Sequence, residues 1–257
     1  QHRLRRELLQ RIELDLLTSW TAKLTEGGEL TTKDLPPSFA SCFRKILNDP
    51  QMNHELKALM LTLPSENRIL QSLPNFQPLL AEKALTFLSK SLVQAMEADF
   101  IENLKKADQL SHQPDSRALK NRLLSYFADL NTTFTEKLIE EQYWKAQVMT
   151  ERYHSLRLLC DFQNEACKKA LSDFHERYRS NLLVLNKWFN AQALSKHPNT
   201  FEQVKALTHH PDFNIKNPNN VYSLLRAFGQ NLIRFHDWEK PTYEFMVDKI
   251  IEIDGFN

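Results

Sequence analysis

Glycine is scarce in this 257-residue chain: only Gly27, Gly28, Gly229 and Gly255 occur. A loop that cradles phosphate needs several clustered glycines for close backbone approach, so Walker and Rossmann chemistry is excluded. Cysteine is scarce too. Cys42, Cys160 and Cys167 are odd in number and widely spaced, with no Cys-x-x-Cys. That excludes a disulfide framework or a dense structural zinc site, and it reads as buried thiols in a reducing, cytoplasmic compartment. An excess of one charge is missing as well. Lys and Arg total 33 against 32 Asp and Glu, a net +1, which excludes a basic nucleic-acid-binding protein and an acidic tail. No stretch approaches ~18 uncharged apolar residues, so no membrane span is expected. There is no Gly-x-Ser-x-Gly elbow. No Asn-Gly or Asp-Gly turn sits between β-branched runs; Asp254-Gly255 comes only at the end. The chain opens without Met and without a signal-peptide core, which reads as a fragment or a processed chain. The sequon Asn131-Thr132-Thr133 then reads as chance.

What the sequence does have is helical spacing from end to end. Leu4, Leu8, Ile12 and Leu16 repeat every four residues, Trp20 and Leu24 continue the stripe, and Gly27-Gly28 stops it. Pro36-Pro37 resets the chain, with Ser38 as a cap for a helix holding Phe39, Phe43 and Leu47. Ser65 is an N-cap after Pro64, and a long helix runs from Leu85 through Met96 to Phe100. Another begins at Pro114, ends at Asn131, and carries Leu119, Leu123, Tyr126 and Phe127. The most apolar run, 182–189, has the length of a strand. It continues without a turn through Ala191, Ala193 and Leu194, so it reads as helix. Asn217-Pro218 pairs an N-cap with a first-turn proline, and Gly229 stands as a C-cap. Short amphipathic helices must bury their stripes on neighbours. Stacked helix pairs are therefore expected: an all-α, armadillo/HEAT-like α-solenoid with a concave surface, although no fixed-period repeat is visible.

Chemistry is harder to find. His54-Glu55-Leu56-Lys57-Ala58 and His175-Glu176-Arg177-Tyr178-Arg179 each lack the second histidine of H-E-x-x-H, so neither reads as a metal site. Adjacent His209 and His210 would point about 100° apart on a helix, too far to chelate one ion, and read as a C-terminal cap. Trp20, Trp144, Trp188 and Trp238 read as core. Arg117, Lys120 and Arg122, flanked by Asp115 and Asp129, read as a solvated helix face. No constellation of acid, base and nucleophile stands out. On composition alone, a free-standing helical-repeat scaffold holding a partner protein or peptide in its groove fits equally well.

Four segments, in order, carry a resemblance. Leu61-Thr62-Leu63-Pro64-Ser65-Glu66-Asn67, the helix opening at Arg117-Ala118-Leu119-Lys120-Asn121-Arg122, the block 181–193 with Asn186-Lys187-Trp188-Phe189 at its centre, and Phe213-Asn214-Ile215-Lys216-Asn217-Pro218-Asn219 are similar to the C-terminal helical domain of bacterial aminopeptidase N. The resemblance implies that residues 1–257 are one helical-repeat domain of a zinc aminopeptidase. The catalytic domains would precede it and further helices would follow. Such a domain closes over the active-site chamber, admits peptides and unfolded segments, excludes folded proteins, and holds no catalytic residue and no metal of its own. Its cofactor, zinc, sits in the parent's catalytic domain. That domain and peptide substrates are its partners; nucleic acid and membrane are not. The family has Arg-x-Arg facing the chamber after Asn-Pro-Asn, where this chain has Asn220 and Tyr222, so these two are the substrate-chamber candidates. An apolar face left uncapped by missing terminal helices would favour dimerisation.

Overall fold

Apolar residues spaced by three and four, punctuated by proline and asparagine, build helices and little else. The computed structural model describes residues 2–256, and among them there is no strand. The chain divides into two compact units, Gln1–Thr135 and Glu136–Asn257.

The first unit holds α1 (His2–Thr25), α2 (Pro37–Asn48), α3 (His54–Met60), α4 (Glu66–Leu70), α5 (Pro78–Ala95), α6 (Glu97–Gln109) and α7 (Pro114–Leu130). Gly27 takes φ +80, and the N–H of Gly28 reaches back to the Lys23 carbonyl at 2.9 Å, a glycine C-terminus of the kind the sequence signalled. Ser65 caps α4 by accepting from the N–H of Arg68. Elsewhere the punctuation falls differently. Pro36 is the N-cap of α2 and Pro37 its first residue, so Ser38 lies inside the helix. The expected long helix breaks at Met96 (φ −147, ψ 40), which separates α5 from α6. Arg44 on α2 ties the two halves of the break, its Nε to Asp99 at 3.0 Å and its Nη2 to the Ala95 carbonyl at 2.7 Å.

The α1 stripe is corrected. Leu4, Leu8 and Ile12 are 61%, 54% and 55% exposed; the buried row is Arg6, Leu9, Glu13, Leu17 and Trp20. A helix can carry two apolar rows, and spacing alone does not say which one meets the core. Arg6 reaches the end of α3, where its guanidinium donates to the carbonyls of Met60 and Thr62. A cation there meets the negative end of the helix dipole. Tyr126 on α7 donates to the neighbouring Leu61 carbonyl at 2.8 Å and packs edge-on against Phe100. The segment 61–67 is thus a junction whose free carbonyls receive α1 and α7.

The second unit holds most of α8 (Thr133–Lys145), then α9 (Met149–Cys160), α10 (Glu165–Tyr178), α11 (Leu182–Ala193), α12 (Thr200–Leu207), α13 (Pro218–Val221), a π-helical turn at Tyr222–Arg226, α14 (Ala227–Gln230), α15 (Leu232–Phe235) and α16 (Thr242–Asp254). The apolar run 182–189 is helix, as read. Its helix α11 lies at the centre, packed on α9, α10, α12, α13 and the π turn. Consecutive helices pair, α9 with α10 and α11 with α12, as α6 does with α7 in the first unit. Phe174 and Phe189 are fully buried, and Phe201 stacks on Phe228 with ring centroids 5.9 Å apart. Gly229 lies within α14 rather than capping a helix.

Candidate functional site

The two chamber candidates sit around the Asn-Pro-Asn turn. Asn217 accepts from the Asn219 N–H at 3.0 Å, and Pro218 takes the first helical position, where no N–H is needed. Asn220 and Tyr222 are two residues apart, about 200° around a helix, so they face opposite ways. Asn220 is 3% exposed. Its amide donates to Asn186 Oδ1 at 2.7 Å, and its own oxygen accepts from the Asn214 N–H at 2.9 Å. Ser223 donates to the same Asn186 oxygen at 3.2 Å. The second pair of resemblance segments therefore forms one buried network, in which Asn186 of α11 anchors the turn. Tyr222 faces out, 56% exposed, and Arg226 lies over its ring at 5.6 Å from the centroid. The two share a face because residues four apart are neighbours on a helix surface. The sequence reading, looking for cations at 220 and 222, missed Arg226; the signal would have been an arginine one turn beyond Tyr222.

The histidines regroup as well. His209 caps α12 through its Nδ1 on the Lys205 carbonyl at 3.1 Å, the role expected of the pair. His210 turns away. Its ring lies 5.3 Å from that of His175 on α10 and 5.1 Å from that of Trp188 on α11. Asp212 joins them, with Oδ2 at 2.6 Å from His175 Nε2 and 3.8 Å from His210 Nδ1. Neither motif could reveal this group, because its members lie 35 and 37 residues apart in the chain.

Other expectations change in detail. Cys160 and Cys167 are buried, but Cys42 is exposed. The hydrogen bond that the Cys160 thiol makes to Cys167, together with burial, holds that thiol well above its ordinary range, so it is no nucleophile. Both line a cavity of about 130 Å³ with Gln163, Gln192, Ser195 and Gln203. Trp20 and Trp188 are core, whereas Trp144 and Trp238 are exposed, the latter 78%. Lys120 is buried and pairs with Asp108 at 2.6 Å. Arg117 closes the α6–α7 turn through the Ser111 and His112 carbonyls, so this is not a solvated face. In the first unit, burial pushes the Glu13 carboxyl up to about 8, against the pull of Arg6 and Arg68. Among the described residues, no two histidines stand one turn apart with a glutamate between them, so the chain does not fit the zinc of an H-E-x-x-H hydrolase.

Paired helices define a helical-repeat protein. The chain belongs to the family described as Domain of unknown function (DUF3458_C) ARM repeats, whose model matches residues 1–257. It is 30% identical over 229 residues to aminopeptidase N of Escherichia coli (strain K12), covering 87% of this chain and 26% of that protein. It is 28% identical over 267 residues to aminopeptidase N of Caulobacter vibrioides, covering 95% of this chain and 30% of that protein. The crystal structure of Legionella pneumophila aminopeptidase A in complex with aspartic acid matches with a TM-score of 0.87 at 26% identity, covering 98% of this chain and 31% of that one. The chain therefore spans between about a quarter and a third of the length of these relatives. The armadillo-like class and the aminopeptidase N resemblance read from the sequence both hold. No helix among the described residues is long and apolar enough to cross a membrane.

Proposed function

We propose that this chain is the accessory helical domain of a zinc aminopeptidase that releases N-terminal amino acids from peptides, and that it walls and gates the chamber over an active site carried elsewhere in the parent. One observation carries the reading: nearly the whole chain aligns with aminopeptidases while spanning only 26–30% of the aminopeptidase N sequences, and it has no H-E-x-x-H of its own. The zinc, its ligands and the catalytic glutamate belong to the remainder of the parent, which is this domain's intramolecular partner in the cytoplasm. Two surface features support the reading. The exposed row Leu4, Leu8, Ile12 on α1 is apolar surface of the kind a neighbouring domain covers. Tyr222 and Arg226 offer a ring and a cation side by side, suited to a peptide's backbone and carboxylate, with Asn220 beneath them holding the turn.

The test has two arms. The purified 257-residue chain, with or without added zinc, is expected to release no product from amino-acid anilides; turnover would refute the reading. The parent with these residues deleted, its remaining fold verified by zinc content and circular dichroism, is expected to cleave anilides yet trim segments of folded proteins that the intact parent excludes. Unchanged size selection would refute the gating role.

A further inference from the structure

We propose that His175, His210 and Asp212 form a binding site for a divalent transition-metal ion of the zinc class, clipping α10 to the turn that follows α12. The site lies within the second unit and owes nothing to the hydrolytic zinc of an aminopeptidase. One ligand atom from each residue lies within 4.8 Å of the other two, among the described residues the one such three-donor group. A tetrahedral ion with ~2.0–2.2 Å bonds to nitrogen and oxygen needs its donors ~3.3 Å apart. The present separations, 2.6 Å from Asp212 to His175 and 3.8 Å from Asp212 to His210, straddle that value, so small side-chain adjustments suffice. Two imidazoles and one carboxylate are a borderline set that suits zinc, copper or nickel over magnesium or calcium.

The scaffold is already ordered. Trp188 lies 5.1 Å from both imidazole rings, and its indole N–H is fixed on the Leu171 carbonyl at 2.9 Å. Phe189 backs His210 at 6.0 Å and Phe213 at 5.7 Å. Pro211 restricts the backbone between the two ligands of the turn. The Asp212 N–H donates to His210 Nδ1 at 3.2 Å, so that nitrogen carries the lone pair, and an ion there replaces this hydrogen bond. On binding, His175 adopts the tautomer with its proton on Nδ1, so that Nε2 and the Asp212 oxygen, now hydrogen-bonded to each other at 2.6 Å, both turn their lone pairs to the ion. Water fills the fourth position on the exposed side of Asp212.

The experiment uses the chelator-treated 257-residue chain titrated with ZnCl2 by calorimetry, and with Co2+ or Cu2+ while following tryptophan emission and visible absorption. We expect one ion per chain, quenching through Trp188, a d–d band with Co2+, and a higher melting temperature with zinc. D212N and H210Q, each verified as folded by circular dichroism, should weaken zinc binding by at least about tenfold, while H209A should bind as the wild type does. Absence of stoichiometric binding, binding unaffected by both variants, or binding abolished by H209A would each overturn the proposal. Because the readouts are heat and spectra, failure here leaves the accessory-domain reading intact, and hydrolysis by the zinc-loaded chain would refute that reading alone.

Discussion

Glu13 is fully buried, with Arg6 Nη1 at 3.3 Å and one carboxylate oxygen without a hydrogen-bond partner. Desolvation outweighs the attraction, and the carboxyl titrates near 8 instead of the ordinary 4.5. Between those values the folded chain holds a proton that the unfolded chain has released. The stability this group contributes is thus full below about 4.5 and is lost as pH rises through about 8. E13Q mimics the protonated form. It is expected to melt with the wild type near pH 4.5 and increasingly above it toward pH 8.5. Parallel melting curves across that range would show that Glu13 ionises at its ordinary pKa. This buried pair was not legible in the sequence, where nothing sets Arg6 and Glu13 apart from the other charges of α1. Their burial depends on which row of α1 meets the core, where Arg6 meets the carbonyls of Met60, the last residue of α3, and of Thr62 beyond it, more than fifty residues away.

At the scale of single elements, local chemistry was readable wherever it was self-contained. Asn217-Pro218, Ser65 and Gly27 marked their helix ends because each acts through its own backbone neighbours. Met96 did not announce the break between α5 and α6, because no proline or glycine marks it and a tertiary bond from Arg44 secures it. The Asn-Pro-Asn turn separates the two chamber candidates by role. Removing Asn220 leaves the Asn214 N–H without its partner and Asn186 Oδ1 with Ser223 alone, which costs about 1–3 kcal/mol. Removing the Tyr222 ring takes away only exposed surface and a cation contact, and should change stability by less than about 0.5 kcal/mol. N220A should therefore lower the melting temperature of the chain while Y222A does not. In the proposed parent enzyme, if Tyr222 faces the chamber, Y222A should raise KM for peptides with kcat little changed. A stability loss for Y222A and none for N220A would reverse the assignment.

For the whole molecule, helix class and the ordered resemblance segments were legible because apolar spacing and punctuation are local. Both histidine motifs looked inert because spacing sees only one helix at a time, whereas α10 and the turn after α12 meet in three dimensions. The α1 row shows the same limit from outside: under the proposed reading, whether Leu8 and Ile12 are surface or interface is set by the parent enzyme and not by these residues. Within the 257 residues both are more than half exposed, so charging them removes no packing. L8E/I12E should shift the stability of the isolated chain by no more than about 0.5 kcal/mol. In the parent, an apolar side chain fully covered by the neighbouring domain contributes about 1.5–3 kcal/mol, and a buried, unpaired glutamate adds a desolvation penalty. The same pair should then lower the parent's melting temperature by several degrees and loosen its exclusion of folded substrates. If the parent tolerates L8E/I12E as well as the isolated chain does, the α1 row is open surface in both, and its reading as a domain interface is refuted.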